Sequence, residues 1–208
     1  MPRESYREQL ADLRENVLYM SEVVLERLRL GLAALEEKED DLAWEVIDGD
    51  DEINELYLQL EQDCIDLLAL QQPVAGDLRF IAASFKIITD LERIADLAVN
   101  LGDYALEANR DVFPDVDIQG LGTAVHQMVE DAMAAYDQED TEACFAIADR
   151  DDDIDADCTR ASQVVVRDLI ETQLETGGDE AAIERLMTDV QRLLLTIRDL
   201  ERIGDHAV

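Results

Sequence analysis

Leu10, Leu13, Val17, Met20, Val24, Leu28, Gly31 and Leu35 recur at three-then-four spacing. That is the apolar stripe of one long amphipathic helix. A second stripe runs through Leu42, Val46, Ile53, Leu56, Leu60, Cys64 and Leu67 and stops at Gln71-Gln72-Pro73. Proline ends a helix there because it has no N–H to give the preceding turn. A third stripe begins near Asp77 and passes through Leu78, Ile81, Phe85, Ile88 and Leu91 to Leu106. The pattern breaks between Asn109 and Gly120, around Pro114, as a linker would. Val125, Met128, Ala132 and Ala135 then open a fourth, shorter helix, and a fifth covers roughly Asp140 to Gln173. Thr176-Gly177-Gly178-Asp179 predicts a turn with a helix cap, and the sixth helix runs from about Glu180 to the end. No stretch alternates with a period of two, so no sheet is expected.

The two halves repeat. At an offset of 101, Asp48-Gly49-Asp50-Asp51-Glu52-Ile53-Asn54 lies over Asp149-Arg150-Asp151-Asp152-Asp153-Ile154-Asp155, and Trp44 over Phe145. At an offset of 109, the ten residues from Asp90 to Val99 lie over Asp199 to Val208, eight of the ten identical. Repeated long helices with short connections predict an all-α chain of two tandem antiparallel three-helix bundles. The first is expected over 1–110, a linker over 111–119 and the second bundle over 120–208.

Charge narrows the classes of function. Fifty-one acidic residues against seventeen basic give a net charge of −34. A field of that sign repels phosphates, so nucleic-acid binding is excluded as an expectation. The acids are spread through every helix and lysine occurs only at Lys38 and Lys86, a surface suited to concentrated salt and a halophilic, archaeal source. No stretch reaches the length of a membrane span, and Met1-Pro2-Arg3-Glu4-Ser5-Tyr6 lacks a signal's apolar core, so a cytoplasmic protein without membrane insertion is expected. Cys64, Cys144 and Cys158 form no CxxC pair and read as reduced, mostly packed thiols.

Glu92 and Asp96, like Glu201 and Asp205, stand four apart and share a helix face. Asp50 with Asn54, and Asp151 with Asp155, form partner pairs on the preceding helix. Antiparallel packing would gather four oxygen-bearing side chains per bundle, a set suited to a hard cation or iron. In so acidic a chain, on the order of a dozen acid pairs at this spacing arise by chance. The weight therefore rests on recurrence within a near-identical decapeptide. The competing reading is an ion-pair network in which Arg93 and Arg202 neutralise these acids. His126 and His206 stay outside the site. Glu92 and Glu201 are followed three residues on by Ala95 and Gly204, so the Glu-x-x-His pattern of ferritin-like oxidases fails. No phosphate loop, Ser-His-Asp set or activated cysteine is present, which argues against an enzyme; a carboxylate-cluster metalloenzyme is the remaining catalytic alternative.

The block Gln72-Pro73-Val74-Ala75-Gly76-Asp77-Leu78-Arg79, followed by Thr89-Asp90-Leu91-Glu92-Arg93-Ile94-Ala95-Asp96, resembles the PhoU family of phosphate-uptake regulators. The second half matches through Ile197-Arg198-Asp199-Leu200-Glu201-Arg202-Ile203-Gly204-Asp205. The resemblance implies a negative regulator of phosphate transport and signalling. Its implied contacts are the ATPase subunit of the phosphate ABC transporter and a phosphate-sensing kinase, and it would be peripheral to the membrane through the transporter. It also implies, as in some members, a multinuclear cluster of iron or another divalent metal. Carried over, the ligands fall on Asp50, Asn54, Glu92 and Asp96, and on Asp151, Asp155, Glu201 and Asp205. Asn54 replaces an acid, and Tyr57 and Cys158 stand where some members carry a further one, so the second bundle is the stronger candidate. A homodimer is expected from exposed helix faces. Val208 falls inside the motif helix, earlier than the resemblance implies, so either the tail is short or the sequence continues.

Overall fold

The computed structural model describes residues 2–71, 74–107, 116–175 and 180–208. The helices are α1 (Pro2–Glu37), α2 (Asp40–Asp48), α3 (Asp50–Gln71), α4 (Ala75–Glu107), α5 (Ile118–Gln138), α6 (Thr141–Glu175) and α7 (Glu180–Ala207), with no strand among the described residues. The expected turns at Gln72-Pro73 and Thr176-Asp179 lie outside the described residues. Helix α5 starts inside the stretch expected as linker, where the Asp117 carboxylate caps it by accepting from the Gly120 N–H at 2.7 Å. Asp140 caps α6 in the same way through the N–H groups of Glu142 and Ala143.

One expected element is divided. The second stripe forms two helices, α2 and α3, separated at Gly49. In an unbroken helix the Gly49 N–H would bond to the carbonyl of Glu45. Arg27 of α1 donates to that carbonyl instead, at 3.3 Å, and the Gly49 N–H turns to Val46 O. A Cβ at Gly49 would lie 2.3 Å from the Arg27 guanidinium carbon, so glycine makes room for the intruding side chain.

Helices α1, α4 and the α2–α3 pair pack as one bundle, and α5, α6 and α7 as the other. The stripes are the core: Val17, Met20, Val24, Leu28, Ile53, Leu60, Cys64, Ile81, Ile88 and Leu91 are all buried. Leu78, expected in the third stripe, is exposed near the start of α4.

The bundles join through α4 against α7 and α1 against α5. Both pairs are antiparallel. On α4 and α7, Asp90 meets His206, Asn100 meets Asp199, and Arg192 donates to the Glu107 carbonyl. On α1 and α5, Arg14 meets Glu139, and Gln119 donates to Leu32 O at 3.1 Å. An interface in which each helix meets its own repeat copy head to tail is that of an internal pseudo-two-fold.

Candidate metal centre

Helix α6 carries Asp151 and Asp155 one turn apart, and α7 carries Glu201 and Asp205 likewise. One carboxylate oxygen each from Asp151, Asp155 and Asp205 all lie within 4.8 Å of one another. Asp151 and Asp155 are partly buried, and the Oδ1 of each is shielded from solvent without a hydrogen-bond partner. Buried acceptors are ordinarily satisfied, so two orphaned oxygens at one spot mark a place that accommodates a donor or a cation. Gly204 permits the close approach: a Cβ there would stand 3.2 Å from Asp151 Oδ1. Its first-repeat counterpart is Ala95.

The electrostatics follow from this crowding. Burial, and then the charges of Asp155, Asp205 and Asp152, raise the Asp151 carboxyl above its ordinary value. Glu201 is raised by burial and then by Asp155, Asp205 and Asp151, which places its charge beside the trio. Burial, helped by Glu201 and Asp155, pushes the Cys158 thiol up to about 12, so it stays protonated at neutral pH. Divalent cations coordinated by oxygen relieve this kind of repulsion, and an all-carboxylate donor set suits hard cations or iron. The second bundle fits such an ion.

The first bundle is built differently. The Asn54 amide donates to Asp50 Oδ2 at 2.7 Å, so a hydrogen bond occupies part of the donor set. Across from it, Glu92 is raised by burial and then Asp96, against the opposing Arg93, and Asp96 is raised by burial and Asp50. Among the described residues, the converging carboxylate trio occurs only in the second bundle.

Among the described residues, the arginines of the repeat make their ion pairs with the leading aspartates and not with the site acids. Arg93 pairs with Asp90 at 3.3 Å and Arg202 approaches Asp199 at 3.9 Å. These leading aspartates were not singled out in the sequence, although they recur in the same decapeptide. Asp199 is fully buried and accepts from Asn100 Nδ2 at 3.1 Å, Tyr104 OH at 2.8 Å and the Arg198 guanidinium at 2.8 Å. Burial and the bond to Asp199 push the Tyr104 phenol up to about 12. Each motif helix thus turns its Glu and second Asp toward its own bundle and its leading Asp toward the other.

The PhoU domain model matches residues 17–105 and again 118–208, once for each bundle. The chain belongs to the PhoU domain family. A Pseudomonas aeruginosa relative, the phosphate-specific transport system accessory protein PhoU homolog, is 30% identical over 98% of this chain and 81% of its own length. An Aquifex aeolicus protein of the same description is 37% identical over 71% of this chain and 67% of its own length. The crystal structure of PhoU from Pseudomonas aeruginosa superposes with a TM-score of 0.84 at 29% identity, covering 97% of this chain and 93% of that one. A regulatory PhoU protein from Streptococcus pneumoniae shares the fold with a TM-score of 0.84 at 24% identity, over 97% and 91%. The expected PhoU-like architecture of two helical bundles is the one observed.

Proposed function

We propose that this PhoU-family protein is a non-enzymatic regulator that restrains phosphate uptake and phosphate-responsive signalling from the cytoplasmic side of the membrane. The observation that carries the reading is the PhoU-domain match over both bundles, with relatives named as accessory proteins of phosphate-specific transport. Contacts with the transporter's ATPase subunit, with a phosphate-sensing kinase, or with both would transmit the restraint. No described helix is long and apolar enough to cross a membrane, which agrees with action through such contacts. Leu58, Ile65 and Leu68 form an exposed apolar stripe on α3, which supports self-association as a homodimer. Deleting the gene is expected to leave phosphate uptake unrepressed in phosphate-replete cells; uptake that stays repressed would overturn the regulatory reading.

Metal forms the second part of the proposal. Asp151, Asp155 and Asp205, with Glu201 beside them, would hold a divalent metal, iron foremost, that offsets their mutual repulsion. In the first bundle the Asn54–Asp50 bond favours a metal-free module, in which Asp50, Glu92 and Asp96 serve as a weaker site at most. Elemental analysis of protein purified without chelator is expected to show metal that Asp151→Asn with Asp205→Asn removes. Equal metal content in that variant would dismiss the site.

A further inference from the structure

The repeated decapeptides of α4 and α7 differ at two positions, Ala95 against Gly204 and Leu97 against His206. The first of these lies against the candidate metal centre. A Cβ at Gly204 would stand 3.2 Å from Asp151 Oδ1, 3.6 Å from Ile154 Cγ2 and 3.9 Å from Val125 Cγ1. The two contacts to carbon are ordinary van der Waals distances, while the contact to oxygen is tighter than side chains normally tolerate. Ile154 and Val125 are buried and held by the close-packed core. A methyl at position 204 would therefore be accommodated by the Asp151 carboxylate, which must move by a few tenths of an ångström.

The first bundle supplies the comparison. Shifted by 101, Val125, Asp151 and Ile154 become Val24, Asp50 and Ile53, the same residue types at each place. Val24 and Ile53 are buried like their counterparts. In the place of Gly204 stands Ala95, itself buried, and in the place of Asp155 stands Asn54. There the aspartate has a neutral partner, Asp50 Oδ2 accepting from Asn54 Nδ2 at 2.7 Å. In the second bundle Asp151 Oδ1 and Asp155 Oδ1 are shielded and without a hydrogen-bond partner, and one oxygen each from Asp151, Asp155 and Asp205 converge within 4.8 Å. Among these matched positions, one methyl group and one amide separate the two bundles.

We infer that Gly204 is a positioning residue for the metal of the second bundle, and that the methyl of Ala95 with the Asn54 amide closes the equivalent place in the first. Ligand distances at a metal site hold to about 0.2 Å. A displacement of a few tenths therefore takes one carboxylate out of register with the other two. Glycine is disfavoured inside helices. Its presence within α7 is explained by what a side chain there would displace. The inference rests on the metal reading above and adds what decides between the two bundles.

The test titrates the chain with Mn²⁺ alone, a hard divalent probe, in about 1 M KCl to screen weak binding by the spread acids. The electron paramagnetic resonance signal of the free ion gives affinity and stoichiometry. A tight class in the wild type that Asp205→Asn removes establishes the metal reading. Gly204→Ala is expected to weaken that class at least tenfold. Its urea midpoint in chelator should be no lower than that of the wild type, because alanine favours the helix. Asn54→Asp with Ala95→Gly, made in the Asp205→Asn background, is expected to restore one tight class from the first bundle. Wild-type affinity in Gly204→Ala would overturn the role of Gly204. So would a lowered midpoint, since the packing rather than the carboxylate would then have given way. Failure to restore a class would overturn the roles of Ala95 and Asn54. Absence of a tight class in the wild type would instead sink the metal reading itself, and this inference with it.

Discussion

Asp151 and Glu201 hold their protons more tightly in the folded chain than in the unfolded one, through burial and then through neighbouring carboxylates. Raised carboxyl values contribute stability that is present below the ordinary carboxylate range and lost as pH rises through the folded values. In chelator, the metal-free protein should therefore lose stability as pH rises above the ordinary carboxylate range. Part of that loss belongs to Asp151 with Asp155, like charges at one-turn spacing that cost a helix about 0.5 kcal/mol. Asp151→Asn should gain about that amount at pH 7 and almost nothing at pH 4, by urea titration at both values. Adding divalent metal should reverse the order at pH 7, because an ion bound only by the folded wild type stabilises it by mass action. If the variant is less stable than wild type in chelator at pH 7, the crowding at the trio is not the cost described here. The spacing of these acids was legible in the sequence, whereas the asymmetry of the bundles was only half legible. Asn54 was visible as a missing charge, but its hydrogen bond to Asp50 depends on a side-chain conformation that spacing does not encode.

At the scale of elements, the long stripes were legible because each helix buries one face, and periodicity records one-sided burial directly. The break at Gly49 was not, since its cause is Arg27, twenty-two positions away on α1. A glycine inside a helical pattern normally costs about 1 kcal/mol relative to alanine. Gly49→Ala alone should nevertheless destabilise, because the new methyl displaces Arg27 from the Glu45 carbonyl and from Glu52. In an Arg27→Ala background the same change should stabilise by about 1 kcal/mol, the propensity difference. A double-mutant cycle by thermal unfolding measures that change of sign; the same sign in both backgrounds would remove Arg27 as the cause. The α4–α7 contact was likewise hidden, because the leading Asp of each repeat acts across bundles. Tyr104→Phe should cost about 1.5 kcal/mol, the usual loss for a hydrogen bond to a charged group. Urea midpoints for Tyr104→Phe and for the exposed Tyr19→Phe separate that bond from the general effect of losing a hydroxyl.

At the scale of the whole molecule, the −34 charge is distributed over two small bundles whose interface itself gathers carboxylates, Asp90 and Asp199 among them. Self-repulsion of this kind opposes the compact state and weakens as salt screens it. The Debye length falls from about 10 Å at 0.1 M to about 3 Å at 1 M. Screening should therefore be nearly complete by about 1 M KCl, before the salt effects on apolar burial dominate. A relief of about 3 kcal/mol in a chain of this size corresponds to a rise of roughly 10 °C in Tm. Most of that rise is expected between about 0.05 and 1 M, with a shallower slope above. Thermal melts in KCl and in NaCl at matched ionic strength test the origin, since screening by monovalent ions is indifferent to the cation. A Tm that is flat to 1 M, or a large difference between the two salts, would mean that repulsion among the spread acids is not what limits the fold. The site makes a separate demand, because buried pairs are screened much less than exposed ones. The stabilising effect of Asp151→Asn in chelator should thus persist at 1 M KCl, after the general surface repulsion has been removed.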